Sequence, residues 1–190
     1  MKKLNELSGV KVKAKIRGEY VDCVLSVVDW GGDACDGSLF FCQDKIKGHW
    51  SGYSDINHYG KKFVCNMMDI DEVADEELGI FVYKNAGAQK SDIKEANFIH
   101  LSNSKIDFHK LKVIRGHLFC GDMENITFPK LTIIGEGFYA SDVNTLSLPK
   151  LKAAAFLANN VTLILPEAKS IDCAGGDNVN ILGPEPQRHT

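Results

Sequence analysis

Ile106-Asp-Phe108-His-Lys110-Leu111 recurs as Ile126-Thr-Phe128-Pro-Lys130-Leu131 and again as Leu146-Ser-Leu148-Pro-Lys150-Leu151. It recurs once more as Leu163-Ile-Leu165-Pro-Glu167-Ala168, and in frayed form as Asn180-Ile-Leu182-Gly-Pro184. Phe108 stands 20 residues before Phe128, and Phe128 stands 20 before Leu148; the steps to Leu165 and Leu182 are 17 each. A fixed period in this range is the signature of a solenoid, in which each unit is too small to bury its own apolar residues and stacks on its neighbours to do so.

Stacking at the inter-strand spacing of about 4.8 Å places like over like. Ile106, Ile126, Leu146 and Leu163 are expected to form one buried column, and Phe108, Phe128, Leu148 and Leu165 a second. Pro129, Pro149 and Pro166 follow the columns where the strand stops, since proline has no N–H to give a ladder. Asp122, Asp142, Asn159 and Asn160 are expected to turn the chain between the two short strands of a coil.

The same stacking aligns charge. Lys110, Lys130 and Lys150 share a register, Lys112 and Lys152 lie beside them, and Glu167 ends the row. Two uses fit such a row. One is a solvated edge that deters sheet-to-sheet aggregation. The other is a docking strip for a partner protein with an acidic surface.

N-terminal to the repeats, Gly9–Arg17 alternates Val10, Val12, Ala14 and Ile16 with Lys11, Lys13, Lys15 and Arg17, which predicts a half-buried strand with a cationic outer face. Gly18-Glu19 is a turn, and Tyr20–Val28 completes a hairpin. Further strands are predicted at 38–43, 61–66 and 79–83. The acidic run 69–77 is expected to be a solvated helix or loop. Five short strands predict a small antiparallel β-barrel of SH3-like kind over residues 1–84. Residues 85–97 are expected to form a linker and a short capping helix over 91–96. The solenoid is expected over 98–182, with a tail at 183–190.

Charge and composition narrow the function. The net charge is −3 and the pI about 6.1, which argues against a dedicated nucleic-acid binder. No stretch approaches the roughly 20 apolar residues of a membrane span. The first residues lack the apolar run of a secretory signal, so the six cysteines are expected as free thiols in a reducing, cytoplasmic setting.

Cys35, Cys42, His49, His58 and Cys65 are ligand types that zinc favours, but their spacing matches no tight knuckle, and no metal or cofactor is assigned. No nucleophile stands in an activating context, so no catalytic residue is assigned. Trp30, Trp50, Tyr53 and Tyr59 lie in loop-like segments with Lys61 nearby. Folded back, they would pack a core; exposed, they would stack a nucleobase.

The pieces Leu111-Lys-Val-Ile-Arg-Gly-His-Leu-Phe-Cys120, Leu131-Thr-Ile-Ile-Gly-Glu-Gly-Phe-Tyr-Ala140 and Leu148-Pro-Lys-Leu-Lys152 resemble bacterial and phage leucine-rich repeats. Ala153-Ala-Ala155 departs from the pattern by replacing its Ile-Gly. The hairpin followed by Ser-Leu-Phe-Phe-Cys-Gln43 resembles the openings of small phage β proteins. Together these imply a mainly β, two-part, non-enzymatic protein–protein interaction module, a phage-encoded inhibitor of a host or defence protein. Lys110, Lys130, Lys150, Lys112 and Lys152 are its expected contact residues, and homo-oligomerisation through the solenoid edge accompanies that reading. The alternative is a nucleotide- or small-ligand-sequestering protein that uses Trp30, Trp50, Tyr53, Tyr59 and Lys61.

Overall fold

The computed structural model describes residues 4–7, 9–16, 18–28, 38–43, 63–65, 70–173 and 177–183. Within them the chain is mainly β, and its C-terminal part is a β-solenoid of about five turns. β1 (Lys11–Ile16) and β2 (Glu19–Val28) form the expected hairpin, with Lys11 opposite Val24 and Ile16 opposite Glu19. Val12, Ala14 and Ile16 are buried while Lys11 and Lys13 are exposed, as period-2 alternation requires. β3 (Ser38–Gln43) pairs with β2, and β4 (Phe63–Cys65) with β3.

The acidic run departs from expectation. Ile70–Asp75 is a strand, β5, that pairs with β1 and with β6 (Ile80–Lys84). Its buried residues, Ile70 and Val73, are three apart, a spacing that hides a strand. A register shift between Lys15 and Ile16 accounts for it: Lys15 faces Glu72 and Ile16 faces Ile70, so one extra residue bulges on β5 and both apolar side chains turn inward. The bulged Asp71 accepts a hydrogen bond from the Gly18 N–H, 2.7 Å, across the β1–β2 turn.

Closure into an SH3-like barrel is not what β6 does. It pairs antiparallel with β5 on one side and parallel with β9 (Phe98–Ser102) on the other, so the N-terminal sheet runs directly into the solenoid. β6 is buried on both faces. Ile80 and Val82 join Phe98 in the N-terminal core, whereas Phe81 and Tyr83 join the solenoid core.

Residues 85–97 are part of the first coil. The expected helix over 91–96 is replaced by β7 (Gln89–Lys90) and β8 (Glu95–Ala96). β7 pairs with β10 (Ile106–Asp107), and β8 with β11 (Val113–Ile114). Ser91 and Asp92 suit a helix start, but inter-coil hydrogen bonds along 89–96 override that local preference.

The later coils are β12 (His117–Thr127), β13 (Ile133–Ile134), β14 (Gly137–Ser147), β15 (Ala153–Ile164), β16 (Ser170–Cys173) and β17 (Val179–Leu182), stacked in parallel. Ile126, Leu146 and Leu163 lie in register, and the rings of Phe108 and Phe128 stack at 5.8 Å. Each long strand bends at one left-handed residue. Asn85, Asn103, Asp122, Asp142, Asn160 and Asn178 have φ between 45° and 57°, a conformation that Asn and Asp tolerate best among non-glycine residues. Asn159, also expected to turn the chain, is not among them.

Side chains tie these corners together. Asn103 Nδ2 donates to Asn85 Oδ1 at 2.7 Å, Asn160 Nδ2 to Asp142 Oδ1 at 2.8 Å, and Asn178 Nδ2 to Asn160 Oδ1 at 2.9 Å. The shorter 17-residue units lose residues at two places. The corner that holds Gly135-Glu136 has no counterpart after Ala153-Ala154, so β15 runs straight through it. One further residue is dropped opposite Asn144, where the β14–β15 register shifts. Gly135 itself is required, since a Cβ there would lie 1.9 Å from the Arg115 carbonyl oxygen.

Candidate functional site

Three of the five expected docking lysines, Lys110, Lys130 and Lys150, sit on a turn that every full unit repeats. The N–H of Leu111 donates to Phe108 O, that of Leu131 to Phe128 O, that of Leu151 to Leu148 O and that of Ala168 to Leu165 O. Each is a four-residue β-turn. Proline fills its second position at Pro129, Pro149 and Pro166, where a fixed φ near −65° is already suited to the turn. The prolines therefore build the turn as well as end the strand. Leu111, Leu131, Leu151 and Ala168 close it from inside, each buried. The third position is left at the tip, and it carries Lys110, Lys130, Lys150 and Glu167.

The row is therefore real, and it has a sign pattern. One unit before Lys110 in the stack lies Asp92, whose Oδ1 is 2.8 Å from Lys110 Nζ. At the other end Glu167 receives Lys150 Nζ on Oε1 at 2.5 Å and Lys152 Nζ on Oε2. From end to end the tips read Asp92, Lys110, Lys130, Lys150, Glu167. Among the described residues Lys130 alone of the three tip lysines makes no ion pair, and it is exposed.

Hydrogen bonding from Lys110 holds the Asp92 carboxyl below the usual carboxylate range. Bonds from Lys150 and then Lys152 bring Glu167 down to about 2.

A second column runs beside the first. Lys112 N–H donates to Lys94 O, Thr132 N–H to Lys112 O, and Lys169 N–H to Lys152 O. Lys94, Lys112, Lys152 and Lys169 are all exposed. Lys94, Lys169 and Asp92 escaped the sequence reading. Neither period of the repeat reaches Asp92 or Lys94 from Lys110 and Lys112; only the 18-residue step between β8 and β11 does, and it appears in the strand pairing alone.

The edge offers ammonium groups about one strand spacing apart, ~4.8 Å along the stack. At such separations two unit charges in water repel by under ~1 kcal/mol, and less in salt, so an open row costs the fold little. The pairs of Asp92 and Glu167 are exposed, so they are weak, screened by salt and open to exchange with other counter-charges.

Trp30, Trp50, Tyr53, Tyr59 and Lys61 lie outside the described residues, as do Cys35, His49 and His58. Cys42 and Cys65 lie in β3 and β4, as expected. No cluster of three or more His, Cys, Asp or Glu suited to a metal occurs among the described residues. Cys120 is buried, and burial pushes its thiol well above the usual range, away from nucleophilic use. No described helix is long and apolar enough to cross a membrane. Comparison of the chain with family models, curated proteins and solved structures finds no match.

Proposed function

We propose that the protein is a non-enzymatic binding module that grips an acidic protein surface along the lysine edge. The observation that supports this is Lys130, an exposed ammonium at the centre of a row whose two ends are already neutralised. A stiff stack of coils fixes these tips in a line, so little order is lost on docking. The leucine-rich-repeat likeness and the phage-like opening favour a target among host or defence proteins, held without chemistry.

The test is capture from host lysate by the intact protein and by a variant with Lys110, Lys130 and Lys150 all changed to Glu. The wild type is expected to retain one protein in stoichiometric amount, at low salt more than at high. The variant is expected to lose it with an unchanged circular dichroism spectrum. Equal retention by both returns the row to a solvated edge.

A further inference from the structure

Past each lysine tip the coil continues onto a short outer strand. β8, β11 and β13 form a three-stranded sheet there, with Glu95, Val113 and Ile133 in register and β13 at its border. Ile114 is fully buried and Ile134 packs half-buried against the core, so Val113 and Ile133 are left on the outside. Val113 is half-buried, and Ile133 is 53% exposed, although it is large and apolar. The next coil explains the exposure. At the same distance past its turn it carries Ala153, which begins β15 and pairs onward with Ser170. An alanine is too short to cover an isoleucine.

Successive levels of the stack therefore differ in composition. The level of Lys110 adds Lys112 and Val113, and the level of Lys150 adds Lys152 and Ala153. Between them the level of Lys130 has Thr132 and Ile133, one ammonium group beside apolar surface. The Thr132 hydroxyl donates to Lys112 O at 3.0 Å, so it is used internally and the side chain adds a methyl group to the patch. The carboxylates at the ends, Asp92, Glu95 and Glu167, are held by Lys110, Arg115 and Lys150.

The face is thus apolar at its centre and cationic around it. Protein interfaces divide in the same way: a desolvated centre supplies most of the energy, and a charged rim supplies orientation. The methylenes of Lys112 and Lys152 widen the apolar centre while their charge stays in water.

We propose that this face receives an amphipathic α-helix lying along the stack, with an acidic stripe on Lys110, Lys130 and Lys150 and an adjoining apolar stripe on Val113 and Ile133. The assignment rests on the lysine edge being a protein-binding surface, and it adds the kind of element that binds there. An α-helix brings a new turn round about every 5.4 Å, close to the ~4.8 Å between coils. Over the levels of the three tip lysines the two spacings part by about 1 Å, within the reach of a lysine side chain. Alternate residues of an extended strand are ~6.7 Å apart and part from the same row by about 4 Å. A helix also satisfies its own backbone, which suits a face made of closed turns and side chains.

Fluorescence anisotropy on the full chain tests this with labelled peptides of about five helical turns. The first carries a Glu stripe beside a Leu stripe, the second has the same composition with the stripes scrambled, the third is the first with a central proline, and the fourth is poly-Glu. The striped helix is expected to bind saturably, and the other three about tenfold more weakly or not at all. Ile133→Ser is expected to weaken the striped helix about tenfold. Tyr20→Ser, at a side chain 67% exposed on the N-terminal hairpin, is expected to change nothing. Lys130→Glu is expected to abolish binding. Equal binding of the scrambled peptide or of poly-Glu overturns the proposal, since charge alone would then suffice, and so does an Ile133→Ser protein that binds as wild type. If the striped helix fails while capture from lysate still needs the lysines, the helix is overturned and the binding edge stands. If capture is insensitive to the lysines as well, both fall.

Discussion

At the scale of single residues, the corners carry the fold. Asn160 holds a left-handed φ of 50°, donates to Asp142 and accepts from Asn178. Asn160→Val forces a β-branched side chain into that conformation and breaks both links, so a loss of about 2–3 kcal/mol is expected in chemical denaturation. Asn160→Gly keeps the conformation and loses only the side-chain links, with an expected loss of about 1 kcal/mol. Equal losses would mean that the corner conformation is not what asparagine supplies.

Two other residues contribute to the acid response. Burial, and then Lys84, brings His100 from 6.5 to about 4. Between those values the unfolded chain binds a proton that the native state refuses, so stability falls as pH drops from about 6.5 to 4. Glu167 titrates normally near 4.5 but at about 2 when folded. Its contribution is present above 4.5 and is lost as pH falls towards 2. His100→Phe is expected to flatten the first part of a stability–pH curve, and Glu167→Gln the second, smaller part. Asp122, Asp142 and Asn160 were legible as turn formers because Asp and Asn punctuate chains. Asn85, Asn103 and Asn178 were not, since only the three-dimensional register places them over the others.

Elements were legible where one face alone is buried and the period is unbroken. β1 and β2 alternate cleanly and were read to within a residue or two. β5 was not, because its bulge replaces period 2 with a three-residue gap between Ile70 and Val73. β7 and β8 are two residues each, too short for any periodic signal, and exist only because β10 and β11 lie beside them. The lysine tips were legible from the repeat. Their counter-charge at Asp92 was not, since it lies an 18-residue step before Lys110, which matches neither period of the repeat.

Two predictions belong to this scale. Phe128 is fully buried and stacked on Phe108, so Phe128→Ala is expected to cost about 3–5 kcal/mol. A loss below 1 kcal/mol would mean that the two units are not packed on each other there. In partner capture, Lys130→Glu alone is expected to weaken binding more than Lys110→Glu, since Lys110 is already engaged by Asp92. The reverse order would place the contact at the end of the row.

At the scale of the whole molecule, the two cores share β6 and β9, with side chains sent alternately to each. A cut between residues 84 and 85 is therefore expected to ruin both parts. The fragment 85–190 is expected to show neither a cooperative melt nor dispersed amide signals, because it lacks the strand that covers β9. A folded 85–190 fragment would restore the boundary expected from composition. The shared strand also bears on how the chain is made. Synthesis delivers the N-terminal hairpins first, and with them β6, a finished edge awaiting a neighbour. Each later coil needs to find only the one before it, some twenty residues upstream, so the tower grows in the order of translation, as bricks are laid on a set course.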